Sequence, residues 1–186
     1  MTTFRQEYER RLAGPWSDIQ DQLEALYDRA CRYPGVRVAE FGVRSGESTS
    51  AFLAAAEVTG GHVWSWDVQE PQVPGWWHTS GLWTFTRGNS LGAVLAGPVD
   101  LLFIDTAHEY DATKAELSRL APAVRAGGRV LLHDTKLDRR GFDPLAVARA
   151  LDDWCPAHGL TWRELGGYYG LGEITISGRI PRARQG

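Results

Sequence analysis

The 186-residue chain is predicted to fold as an α/β domain, a mostly parallel seven-stranded sheet with helices on both faces and a C-terminal antiparallel hairpin. Three observations predict this. From residue 36 onward short apolar runs alternate with helix-length segments, which gives parallel strands joined by right-handed crossovers. The residues at or just after the end of each run are polar or Gly, at the sheet edge where open α/β sheets bind ligands. The last two β-like runs are joined only by Gly166-Gly167-Tyr168-Tyr169-Gly170, too short for a crossover helix, so they should pair antiparallel.

The first 33 residues read as helix, with Leu12, Trp16, Ile19, Leu23, Leu26 and Ala30 on one face and a break at Gly14-Pro15. Residues 1–34 are therefore taken as an N-terminal helical segment and 35–180 as the ligand-binding domain. Strands are expected at Val36 to Phe41, His62 to Asp67, Trp83 to Thr86, Val99 to Asp105, Gly128 to Asp134, Thr161 to Leu165 and Leu171 to Ile176. Helices are expected at Glu47 to Val58, Leu91 to Ala96 and Asp111 to Ala126. A last helix should start at Asp143-Pro144, as N-cap and first helical residue, and stop at Gly159.

Composition narrows the function. Hydrophobic residues at 43% and charged residues at 23% exclude a disordered or coiled-coil chain. Twenty Lys and Arg against 23 Asp and Glu leave no basic stripe, which argues against a nucleic-acid partner. Cys31 and Cys155 lack metal-ligand spacing and read as two buried thiols. The N-terminal residues carry charge where a signal peptide needs an apolar core, and the run Ala51 to Ala56 is far short of a membrane span. A soluble cytoplasmic protein without a membrane partner is the expectation.

The expected ligand end begins with Glu40-Phe41-Gly42-Val43-Arg44-Ser45-Gly46-Glu47-Ser48. Gly42 lets the backbone turn sharply beside a ligand, Gly46 opens the next helix, and Arg44, Ser45 and Ser48 complete the candidate loop. A dinucleotide fingerprint fails twice, because Arg44 and Glu47 stand where Gly is needed. Glu40 would also repel a pyrophosphate. An acid before the turn suits a cationic, amine-bearing ligand, which points to S-adenosylmethionine (SAM). Asp67 ends the second strand, where a carboxylate accepts from ribose hydroxyls, and Asn89 and Ser90 offer polar groups to an adenine edge.

The runs Ile104-Asp105-Thr106-Ala107-His108-Glu109-Tyr110 and Gly127-Gly128-Arg129-Val130-Leu131-Leu132-His133-Asp134-Thr135 complete three motifs over residues 36–136. With them the chain resembles small class I SAM-dependent methyltransferases of Rossmann-like fold. The resemblance is strongest to the branch of macrocin-type and mycinamicin-type sugar O-methyltransferases and cephalosporin-hydroxylase-like proteins. It implies methyl transfer to a hydroxyl of a small molecule, a sugar or a natural-product tailoring substrate. It further implies Asp105 and Asp134 as ligands of a divalent cation, Asp105 also beside the cofactor, and His108 as general base. His133 replaces the first acid of the family's acidic pair. An imidazole there either shifts the preference from Mg²⁺ toward Mn²⁺, Fe²⁺ or Zn²⁺, or leaves the metal unbound.

The chemistry agrees with that assignment. A hydroxyl is a poor nucleophile at neutral pH, so its proton must be removed as the methyl carbon is attacked, and a divalent cation or a His supplies that help. Two further readings stay open: a metal-independent N- or O-methyltransferase, and a SAM-binding module that does not methylate. The segment Pro71 to Phe85, with Trp76, Trp77 and Trp83, reads as a substrate wall or lid, or as a loop buried in a dimer contact or against the N-terminal helices. Homodimerisation is left open.

Overall fold

The apolar runs become strands covered on both sides. The computed structural model describes residues 2–136, 143 and 145–180. Its strands are β1 (Arg37–Phe41), β2 (His62–Asp67), β3 (Trp83–Arg87), β4 (Val99–Ile104), β5 (Val124–His133), β6 (Trp162–Glu164) and β7 (Leu171–Thr175). They form one sheet in the order β3-β2-β1-β4-β5-β7-β6. β1 to β5 are parallel, and β7 runs antiparallel between β5 and β6. The carboxyl ends of β1, β2, β4 and β5 therefore share one edge.

Side chains alternate across each strand and build two cores. Val38, Leu101, Phe103 and Leu131 pack under α1 (Phe4–Leu12), α2 (Leu23–Ala30) and α3 (Glu47–Thr59). Phe41, Leu102, Ile104 and Leu132 pack under α4 (Tyr110–Leu120) and α5 (Ala146–Ala157). The small residues of Ala51 to Ala56 let the stretch Ser48 to Ala56 of α3 sit buried between the sheet and the N-terminal helices. Among the described residues no helix is long and apolar enough to cross a membrane.

Four expectations are corrected. Residues 13–19 are not helical, because Gly14-Pro15 stops α1. Trp16 is left 66% exposed, and α1 buries Phe4 and Tyr8 instead. The expected helix at Leu91 to Ala96 is a single 3₁₀ turn at Ser90–Gly92; Leu91 and Val94 are exposed, and only Ala93 and Leu95 pack onto the core. The expected helix to Ala126 ends at Leu120, where a 3₁₀ turn containing Pro122 leads into β5. The last helix starts at Ala146 with Leu145 at its cap. Asp143 accepts from the Leu145 N–H instead of capping the helix, and Pro144 lies outside the described residues.

Candidate active site

The turn after β1 is shaped by a close approach. A Cβ at Gly42, whose φ is 95°, would meet the carbonyl oxygen of Asp105 at 1.9 Å, so only Gly lets β1 and β4 end side by side here. Asp67, at the end of β2, closes the same turn: its Oδ2 accepts from Val43 N at 2.8 Å and Arg44 N at 3.1 Å. That fixes the floor of a cleft of about 370 Å³.

Gly42, Arg44, Asp67, Asn89, Ser90 and Asp105 line this cleft. The structure sets the other expected loop residues behind its wall. Glu40 is fully buried on the α3 side of the sheet, where it accepts from Ser48 Oγ at 2.6 Å, Thr49 Oγ1 at 2.8 Å and Ser65 Oγ at 2.6 Å. Burial pushes its carboxyl up to about 7 against the pull of those hydroxyls. Glu40 thus differs from the expectation that it faces a cationic ligand: it ties β1 to β2 and to the first turn of α3. Ser48 is spent on Glu40, Ser45 Oγ donates to Glu47, and Gly46 lies against Val73 and Trp77.

Sequence reasoning missed Glu116. This nearly buried side chain of α4 reaches the cleft and accepts from Ser90 Oγ at 2.5 Å and Thr106 Oγ1 at 2.8 Å. Its signal is a carboxylate among the apolar positions 117 and 120 of the buried helix face.

Beyond the cleft, the ends of β4 and β5 bring together Asp105, His108, His133 and Asp134, with one potential ligand atom from each lying within 4.8 Å of the others. His108 Nε2 donates to Asp105 Oδ1 at 2.8 Å and lies 3.0 Å from Asp134 Oδ2. His133 Nδ1 lies 3.3 Å from Asp105 Oδ1 and 3.4 Å from Asp134 Oδ1. Burial alone would raise both carboxyls and lower both imidazoles. The facing opposite charges and hydrogen bonds outweigh it, holding Asp105 and Asp134 below the usual carboxylate range and lifting His108 to about 9 and His133 to about 10. His108 and Asp134 both adopt left-handed backbone, with φ of 53° and 62°. Such strain in non-Gly residues persists where surrounding structure enforces it, and it concentrates at functional sites.

The Trp-rich segment is not part of this wall. Trp77 is fully buried, and Phe4 of α1 packs on Trp76 and Trp77 at ring-centroid distances of 4.6 and 5.9 Å. The hydrophobic effect has turned these rings inward onto the N-terminal helices.

The sheet order, the glycine turn and the acid ending β2 define the fold of a class I SAM-dependent methyltransferase. Solved structures share it. The cofactor-bound Rv0187 protein of MTB matches with a TM-score of 0.67 at 18% identity, over 94% of this chain and 88% of its own. The SAH-bound methyltransferase PaMTH1 of Podospora anserina matches with a TM-score of 0.64 at 16% identity, over 95% and 88%. CalS11, a TDP-rhamnose 3′-O-methyltransferase of calicheamicin biosynthesis, matches with a TM-score of 0.60 at 18% identity, over 92% of each chain. No curated protein matches the sequence. A methyltransferase-domain family model matches residues 39–135, more than half of the chain, and the chain belongs to that family.

Proposed function

We propose that the protein transfers the methyl group of SAM to a hydroxyl of a small molecule. The observation that carries this reading is the convergence of Asp105, His108, His133 and Asp134 beside a cleft floored by the Asp67-bound turn. SAM would lie in the cleft with its ribose toward Asp67 and its adenine toward Asn89, Ser90 and Glu116. Its methyl group would then face the four-residue cluster. The acceptor oxygen attacks the methyl carbon in line as the carbon–sulfur bond breaks, leaving neutral S-adenosylhomocysteine (SAH). The hydroxyl proton passes to Nδ1 of His108 in its neutral form, whose Nε2–H stays donated toward Asp105 and Asp134, so that the imidazolium forms beside two carboxylates.

The cluster fits a divalent cation. Two of its buried atoms, His133 Nε2 and Asp134 Oδ1, have no hydrogen-bond partner among the described residues, and an imidazole beside two carboxylates suits Mn²⁺, Fe²⁺ or Zn²⁺ better than Mg²⁺. Asp105, His133 and Asp134 would hold it. When bound, such an ion would lower the pKa of a coordinated hydroxyl and fix its orientation.

Methyl transfer without a cation is a second reading, favoured by the N–H groups of His108 and His133, which already face the two carboxylates. Purified protein assayed with labelled SAM against polyols and phenols, after chelation and after adding back each cation, tests both. Activity restored by one ion supports the metal-assisted reaction, activity indifferent to chelation supports the second reading, and SAH binding without turnover on any acceptor contradicts both.

A further inference from the structure

Trp16 and Tyr168 are the most exposed aromatic side chains of the described residues, at 66% and 72%, and they meet each other and Tyr169. The ring centroids of Trp16 and Tyr168 are 6.3 Å apart, those of Trp16 and Tyr169 6.2 Å, and those of Tyr168 and Tyr169 4.9 Å. Their position is tied to the reactive cluster. Leu171 pairs with His133 in the β5–β7 ladder, so the preceding loop projects past the end of β5, and the Tyr169 carbonyl accepts from Lys136 N, two residues beyond Asp134. Trp16 stands two residues before Asp18, whose carboxylate pairs with cleft residue Arg44 at 2.8 Å. Along the sheet edge the order is thus Asp67 on β2, the cluster on β4 and β5, and the aromatic loop before β7.

The loop is held firmly. Glu164 accepts from Gly166 N and Leu171 N with one oxygen and from Thr135 Oγ1 with the other, while Asp21 accepts from Tyr168 N at 2.7 Å. A surface fixed in advance loses little entropy on binding.

The geometry points to Trp16, Tyr168 and Tyr169 as the platform that receives the methyl acceptor, with a sugar ring as the part of the acceptor it takes. This rests on the methyltransferase reading above. The ring planes meet at 89°, 86° and 56°, so no two are parallel and a flat aromatic acceptor cannot be sandwiched. A puckered ring directs C–H groups in several directions and can meet the electron-rich faces of inclined rings together, while its hydroxyls extend toward the cluster.

Saturation-transfer NMR tests this with SAH-loaded protein and methyl glucoside, methyl galactoside and methyl rhamnoside, with catechol as the flat competitor. Transfer to the ring protons of at least one glycoside is expected in the wild type. Roughly tenfold weaker glycoside binding is expected in the Trp16→Ala and Tyr168→Ala variants, alone and combined, as rings that each contribute to the contact are removed. SAH affinity, read by calorimetry, should stay unchanged, which shows that the variants fold. Absence of transfer to all three glycosides, transfer that survives both substitutions, or displacement of the glycoside by catechol overturns the proposal. So does a fall in sedimentation mass in the variants, which would make the rings a contact between copies of the chain. Failure of the wild type to bind SAH is a separate outcome and overturns the methyltransferase reading itself.

Discussion

His108 and Asp134 meet at 3.0 Å although both are held in left-handed backbone, one in the loop after β4 and the other after the last residue of β5. Neither chain end would adopt that conformation for its own sake, since it costs on the order of 1–3 kcal/mol per residue. The pairing with Asp105 and His133 overrides the local preference.

Replacing His108 therefore tests chemistry and not cofactor binding. His108→Ala should lower kcat by roughly 10²–10⁴-fold, the usual weight of a positioned acid or base, with the KM for SAM nearly unchanged. Steady-state kinetics at varied SAM check this. A kcat within a few-fold of wild type would remove His108 from the reaction.

Gly42→Ala tests the close approach of β1 and β4. The added Cβ would overlap the Asp105 carbonyl at 1.9 Å, and the backbone at φ 95° disfavours any side chain. A loss of about 2 kcal/mol or more is expected from strain of this kind. Urea unfolding checks it, and a variant as stable as wild type would show that the two strand ends can part at little cost.

Glu40 makes stability depend on pH in a stated direction. Its carboxyl rises from an ordinary 4.5 to about 7 on folding, so between those values the folded protein binds more protons than the unfolded chain. The contribution is full below pH 4.5 and is lost as pH rises to about 7, up to about 3 kcal/mol. Wild-type stability relative to Glu40→Gln should fall over that interval, as followed by urea unfolding at several pH values. Parallel curves for the two proteins would mean that Glu40 ionises normally inside the fold.

The strands were readable because residues such as Val38, Leu102 and Leu131 are buried on one face or the other of a covered sheet, giving dense apolar runs. Asp67 and Asp105 line the cleft, because each stands at a strand end, where the backbone alone brings it to the carboxyl edge of the sheet. Glu40 was misread for the converse reason. One residue inside the strand, it takes its face from the alternation of side chains and so points to α3, and only the hydroxyls of Ser48, Thr49 and Ser65 explain how an acid sits there. The burial of Trp77 under α1 and the meeting of Trp16 with Tyr168 join residues far apart in sequence, which no local pattern encodes.

Titration of SAH into the wild type and into Asp67→Ala, followed by calorimetry, tests the central claim most directly. Asp67 holds the N–H groups of Val43 and Arg44 at the floor of the cleft. One SAH should bind per wild-type chain, and the variant should bind it at least roughly tenfold more weakly, as the loss of charge-assisted hydrogen bonds predicts. No heat with the wild type, or equal affinity in the two proteins, would contradict the placement of the cofactor in this cleft.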